Sequence, residues 1–311
     1  MIDFRIIPYR PEYEASLLDL ERASPQGRHL RLEMLRDHFL SRSRVFDEFG
    51  VFLAVGRTGD LLGVVAGAAV MMECNGSLDR VGYVYDLRVA APFRRNGIAR
   101  SLTQYVAREY FGSLGIERHI TTMKASNRPA AKVALSGRGV SYHYPFSYLM
   151  IPTSVRLREV IKPGSQPRFR VAGFGIVEAA DWIYRHPEGG PACFRTDRTY
   201  RIKPVSVAPW LNFAMRTLRL LKGANWKLPG LGEEVRFATA FDLRPENFRW
   251  LNDVFEYLEK SSIQYLAVCC RKGDHYYRNL RSSAINSTEY RVLANFPLRD
   301  ADSLTLDVRC L

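Results

Sequence analysis

The residues best placed to do chemistry lie in one short run, VAAPFRRNGIARSL, residues 89–102. It begins at the end of a hydrophobic stretch and ends inside a helical pattern. Arg94, Arg95 and Arg100 surround Asn96, Gly97 and the small Ala99. The first amides of a helix have no intrahelical acceptor, and the helix dipole favours negative charge there. Gly97 lets the backbone approach a ligand with no Cβ in the way, and the arginines add charge-assisted bonds. A pyrophosphate suits this arrangement better than a lone carboxylate. The three-glycine dinucleotide fingerprint is missing, and so is the Gly-Lys-Ser/Thr of a P-loop.

The surrounding elements must hold that loop. Strands are expected over 4–8, 51–56, 62–70, 81–89, 119–124 and 140–151, with helices over 12–23, 29–40, 98–111 and 129–135. Residues 152–168, with three prolines, read as a linker. Beyond it, strands are expected over 169–176, 195–203, 235–243, 264–270 and 304–310, with helices over 210–221 and 245–258. The chain is thus an α/β protein in two parts: 1–152, a linker 153–168, and 169–311. At 311 residues it has room for two domains. A net charge of +13, positive in both halves, favours an anionic ligand or partner. The longest nearly apolar run, 61–72, is too short to span a bilayer, and residues 1–10 do not resemble a secretory signal. Five cysteines, none in a C-x-x-C pair, and six unclustered histidines predict neither a disulfide framework nor a metal site. A reducing cytoplasm is the expected compartment.

The spacing Arg94-x-x-Gly97-x-Ala99, between a strand ending in LRV and an amphipathic helix, resembles the acyl-CoA site of the GNAT superfamily of N-acetyltransferases. Asn127 and the helix after it, SNRPAAKVAL, resemble that family's next motif. YDLRVAAPFRRNGIARSL together with TTMKASNRPAAKVALSGRGV is most similar to plant HOOKLESS-type acetyltransferases. The resemblance implies a mixed, mostly antiparallel sheet flanked by helices, and acetyl-CoA as the acyl donor. Leu87, Arg88 and Val89 would border the pantetheine, with backbone bonds from Leu87 and Val89. The amides of Arg95, Asn96, Gly97, Ile98, Ala99 and Arg100, with Arg94 beside them, would cradle the pyrophosphate. Asn127 would contact the cofactor near its pantetheine.

Acyl transfer to an amine requires that the amine lose a proton. An alkyl ammonium with a pKa of ~10.4 is mostly charged at neutral pH, so a base is useful. Asp86, on the strand leading to the loop, is the first candidate and Glu73 the second. The competing role for Asp86 is an ion pair with Arg88 or another local arginine. The family often places an acidic Tyr seven residues after the Asn, but here that position is Ala134. Tyr142 and Tyr144 are the available substitutes, unless they only pack between strands.

A second run, AFDLRPENFRWLNDVF, parallels VYDLRVAAPFRRNGIARSL, each with an aromatic, then DLR, then a helix and a strand. It has no Gly at the loop and places Glu246 there. Tandem GNAT-like domains are therefore expected, the second degenerate and without a CoA site. The basic stretch 195–227, interleaved with Tyr200, Trp210, Phe213 and Trp226, reads first as a core helix with a charged outer face. It also admits nucleic acid or a membrane surface. Three functions follow: an N-acetyltransferase acting on a primary amine, a non-catalytic acyl-CoA- or partner-binding protein, and a tandem-domain transferase using aminoacyl-tRNA.

Overall fold

The computed structural model describes residues 2–27, 29–135, 142–157, 167–174, 182–213, 217, 229–274 and 276–311. Fifteen strands are described: β1 (Phe4–Pro8), β2 (Leu30–Leu35), β3 (Phe49–Gly56), β4 (Leu61–Cys74), β5 (Ser77–Val89), β6 (His119–Lys124), β7 (Tyr142–Pro152), β8 (Phe169–Ala172), β9 (Ile183–Arg185), β10 (Ala192–Phe194), β11 (Arg201–Val207), β12 (Phe237–Phe241), β13 (Tyr265–Cys270), β14 (Asn286–Ala294) and β15 (Leu304–Asp307). Thirteen of them form one sheet, whose main path runs β1-β3-β4-β5-β6-β14-β7-β13-β12-β10-β9. Along this path only the β5–β6 and β12–β13 neighbours are parallel. The mixed, mostly antiparallel sheet flanked by helices is the architecture expected.

The long β4–β5 hairpin anchors the fold. Asn75 and Gly76 both adopt positive φ between Cys74 and Ser77, the geometry of a tight hairpin turn. Alternation then sorts β5: Tyr83 and Tyr85 join one core layer, and Val84 joins the layer on the opposite face. The opposite layer receives the helix that follows the loop, α2 (Ile98–Tyr105), through Ile98 and Leu102. Its continuation packs Phe111 so tightly over Gly82 that any side chain there would collide with the ring. The first layer receives helix α1 (Glu14–Arg22) through Leu17 and Leu20.

The two halves of the chain share the sheet. β14 lies between β6 and β7, pairing antiparallel with both, while β15 pairs with β4. β14 is a strand that the sequence reading passed over. Tyr290 and Val292 do alternate there, but the run begins with polar Asn286, Ser287 and Thr288. Three other expectations need correction. Residues 29–40 are not a helix: Leu30–Leu35 is β2, paired with β11 as a separate two-stranded ribbon. The Leu30, Leu32 and Met34 alternation fits this, and only the distant partner strand reveals it. The strand expected over 195–203 is a 3-10 turn, Thr196–Arg198, followed by β11. Most of the helix expected over 210–221 lies outside the described residues. Where it is described, Trp210 and Phe213 are exposed rather than in a core.

The strands β5 and β12 end alike. Each is followed by Asp-Leu-Arg or contains it, each Asp has positive φ (Asp86 51°, Asp242 54°), and each strand pairs parallel with its neighbour over a few residues only. After β12 a 3-10 turn (Pro245–Trp250) leads into the helix Leu251–Lys260, with Glu246 exposed at its start.

Candidate functional site

At the end of β5 the sheet opens. The parallel β5–β6 ladder covers only Gly82 with His119 and Tyr83 with Ile120. β6 nevertheless continues to Lys124, held by β14 on its other side. The β5 edge from Val84 to Val89 therefore has no described strand paired to it, and the gap where β5 and β6 part is called the cleft below. Within this stretch β5 carries a bulge. Val64 pairs with Arg88 and Ala66 with Tyr85, so Asp86 and Leu87 together oppose the single residue Val65. The positive φ of Asp86 belongs to that bulge. Leu87 and Val89 are partly accessible and have no β6 partner on this edge. Val89 already lends its carbonyl to Arg94 Nε at 3.1 Å.

The loop sits at the mouth of the cleft. Arg94, Arg95, Asn96, Gly97 and Arg100 are exposed. Arg95 (φ 68°) and Gly97 (φ 82°) adopt the left-handed conformation. The Asn96 amide nitrogen donates to the carbonyls of Phe93 and Arg94, bracing the turn. The first α-helical bond runs from Ser101 N to Gly97 O, so the preceding amides at Ile98, Ala99 and Arg100 have no intrahelical acceptor. No acid occupies the first turn, and a Cβ on Gly97 would meet nothing within 4 Å. The loop therefore presents free donors and positive charge to open space. Across the cleft, the helix Arg128–Leu135 contacts α2. Asn127 Oδ1 accepts from Ala130 N at 3.2 Å and so caps that helix.

The expected proton-transfer residues are placed differently. Asp86 is buried and held by three arginines. Arg36 binds both carboxylate oxygens (2.7 and 3.0 Å), Arg42 donates at 3.0 Å and Arg88 at 3.3 Å. Burial opposes its ionisation, but the three guanidiniums, Arg36 foremost, keep its pKa well below the usual carboxylate range. A carboxylate so stabilised is a poor proton acceptor, and of the two roles expected for Asp86 the geometry described is that of the ion pair. Glu73 faces Leu78 near the hairpin turn, eight residues of strand from Asp86. At ~3.3 Å per residue that is roughly 26 Å away, and Glu73 is paired with Arg170 at 2.7 Å. It is thus remote from the end of β5. Tyr144 is fully buried, and its hydroxyl serves the carbonyls of Arg168 and Asp302, each at 2.9 Å. Burial raises its pKa. It pairs with Val292, so β14 and β6 stand between it and β5. Tyr142 lies at the start of β7 beside Ala294, likewise two strands away from β5. Neither tyrosine is a free acid at the bulge.

The bulge side chains instead join a buried ionic cluster that sequence reasoning did not assemble. Glu21, from α1, accepts from Arg88 at 2.7 Å and lies 3.2 Å from Arg36. Arg36 and Arg42 come from the irregular segment after β2. Arg42 also donates to the Tyr83 hydroxyl at 3.3 Å, and that hydroxyl bonds Cys310 O at 2.7 Å. In sequence the only signal was a surplus of arginines between residues 28 and 44.

Residues 15–139 match the model of the acetyltransferase (GNAT) family, and the described residues among them adopt a GNAT-superfamily fold. Among solved structures, Saccharomyces cerevisiae N-myristoyltransferase with bound myristoyl-CoA superposes over 97% of this chain and 80% of its own, with a TM-score of 0.58 and 7% identity. The glucosamine N-acetyltransferase region of a fungal multi-domain GH3 β-N-acetylglucosaminidase superposes over 94% of this chain and 38% of its own, with a TM-score of 0.53 and 11% identity. At such identities the likeness is one of fold. No curated protein matches the chain. No helix among the described residues is long and apolar enough to cross a membrane.

Proposed function

We propose that the protein is an acetyl-CoA-dependent N-acetyltransferase acting on a primary amine. One observation carries the reading: the strand opening, the β5 bulge and the acid-free helix-start loop all meet at one end of β5. The pyrophosphate lies on the amides of Arg95 to Arg100, assisted by Arg94. The pantetheine runs along the Leu87–Val89 edge, which brings the thioester to the bulge, with Asn127 on the opposite wall. The acceptor nitrogen attacks the thioester carbonyl. The new C–N bond forms as the C–S bond breaks, and the departing thiolate takes up a proton as the amide nitrogen loses one. With Asp86 and Glu73 engaged in ion pairs, the acceptor reacts as the free base it brings from solution.

The same reading takes residues 1–152 and 169–311 as tandem GNAT-like units joined by 153–168. The matching left-handed Asp86 and Asp242 support it. The second unit has Glu246 where an anion would sit, and so holds no CoA of its own. Kinship with HOOKLESS-type enzymes rests on the two stretches quoted above alone. A non-catalytic acyl-CoA-binding role is the second reading, favoured by the engagement of Asp86, Glu73 and Tyr144 in structural contacts. Release of free thiol from acetyl-CoA across a panel of amines, amino acids, amino sugars and peptides separates the two. CoA binding with no thiol release for any acceptor would leave the second reading.

A further inference from the structure

Among the described residues five large apolar side chains are exposed, and four of them belong to one surface: Val205, Trp210, Phe213 and Leu231. The β2–β11 ribbon assembles it. Gly232 N donates to Pro204 O at 2.8 Å, which sets the Leu231 turn beside Val205. Ala208 N donates to His29 O at 2.7 Å, which extends the ribbon past the end of β11. Residues 209–213 are helical, so Trp210 and Phe213, three apart, share a face. The His29 ring meets Trp210 edge-on with centres 5.5 Å apart, yet Trp210 stays 60% exposed and Phe213 74%. Charge follows the same surface. Residues 198–232 carry seven lysines and arginines and no aspartate or glutamate. Four of the seven lie outside the described residues and enter here as charge alone. Arg198 is exposed, as is Arg31, which stands opposite Ser206 in the ribbon, and neither has an ion pair among the described residues. The carboxylates that border the surface are engaged. Glu233 accepts from Gly230 N at 2.6 Å, Glu33 meets Lys203 at 3.4 Å, Asp37 meets Arg201 at 2.7 Å, and Glu234 meets Arg201 at 3.2 Å and Arg236 at 3.3 Å.

We propose that this surface docks on an anionic lipid bilayer, lying on it without crossing it. Trp210, Phe213, Leu231 and Val205 enter the boundary between headgroups and acyl chains, and the basic side chains meet the anionic headgroups. Exposed Trp and Phe beside lysine and arginine are the composition of an interfacial anchor, and a basic surface is attracted to an anionic leaflet. Two other occupants fit less well. Single-stranded nucleic acid stacks its bases on aromatic faces, but Leu231 and Val205 have no such face to offer. A second copy of this chain would set one acid-free basic surface against another, because a two-fold interface pairs like with like. The proposal is independent of acetyl transfer.

The test is co-sedimentation of the full chain with vesicles of phosphatidylcholine, or of phosphatidylcholine mixed with phosphatidylserine. A basic side chain at an anionic surface strengthens binding about five-fold, so Arg31 and Arg198 alone should favour the phosphatidylserine vesicles by about twenty-five-fold. Salt at ~1 M, which shortens screening to roughly 3 Å, should remove that preference. Trp210→Ser combined with Phe213→Ser should weaken binding to the phosphatidylserine vesicles by about ten-fold or more, the loss expected when two large apolar side chains no longer leave water. Both positions are exposed, so Tm should not move. Arg31→Gln with Arg198→Gln should reduce the phosphatidylserine preference and leave binding to phosphatidylcholine unchanged. No binding to either vesicle, equal binding to both, or binding unmoved by the Trp210 and Phe213 changes would overturn the proposal. Binding of single-stranded RNA without binding of vesicles would overturn it in favour of nucleic acid. A dimer that the same double variant dissociates, again without vesicle binding, would overturn it in favour of self-association.

Discussion

Replacing Asp86 by Asn separates a structural carboxylate from a catalytic one, because the structure supplies its own control. Asp86 and Asp242 share a positive φ near 50°, a conformation that Asn tolerates as well as Asp. The backbone therefore contributes little to either substitution. Their ionic surroundings differ. Asp86 accepts from three buried or nearly buried guanidiniums, whereas among the described residues Asp242 pairs with Arg185 at 3.2 Å, with side chains 33% and 46% exposed. Breaking a buried pair costs about 3–5 kcal/mol, and an exposed pair contributes about 1 kcal/mol or less. At about 2–4 °C per kcal/mol for a chain of this order of size, Asp86→Asn should lower Tm by roughly 6–20 °C. By the same scale, Asp242→Asn should lower it by no more than about 4 °C.

The pH dependence has a definite sign. The folded pKa of Asp86 lies below its unfolded value of ~3.9. Its contribution is therefore complete above that value and is lost as pH falls towards the folded pKa. The stability gap between wild type and Asp86→Asn should be constant from pH 5 to 8 and narrow below pH 4 in urea titrations. Turnover of the variant should follow its folded fraction, with no recovery at high pH. Equal Tm losses in the two variants, or turnover rescued by raising pH in a stably folded Asp86→Asn protein, would refute the ion-pair account and return Asp86 to the role of base.

Gly97→Asp should abolish CoA binding by calorimetry, while Gly97→Asn, which tolerates the same left-handed backbone without adding charge, should retain most of it. Tyr144→Phe should cost about 1–3 kcal/mol in urea unfolding, by orphaning the carbonyl of Asp302, yet leave thiol release within twofold of wild type. Calorimetry on the full chain should give one CoA per chain, and a stoichiometry of two would contradict the degenerate second loop. Because the acceptor supplies its own free base, the rise of kcat/KM with pH should shift when acceptors of different amine pKa are compared. A profile that is the same for every acceptor would instead reveal an enzyme base.

How far the sequence discloses this molecule depends on the range over which each feature is encoded. The loop proposed to hold CoA is local: its arginines, glycine and flanking elements lie within about a dozen residues, and the strand–loop–helix order could be read directly. The strands β4 and β5, though not the turn that joins them, and helix α2 were legible for the same reason. What could not be read is set by contacts across the chain. The LRLEML run takes strand geometry because Arg201–Val207 lies beside it, and β14 enters the sheet between two strands formed more than 130 residues earlier. The fate of Asp86 is the same kind of fact. Its immediate neighbours offer one arginine, Arg88, and a choice between base and ion pair. Arg36 and Arg42 decide that choice from a segment some fifty residues away. The bulge that turns Asp86 into their reach is the same bulge that exposes the Leu87 backbone to the cleft. The ionic cluster is therefore best understood as the buttress of the proposed thioester site. Two carboxylates and three guanidiniums hold one strand in a conformation its own sequence does not favour.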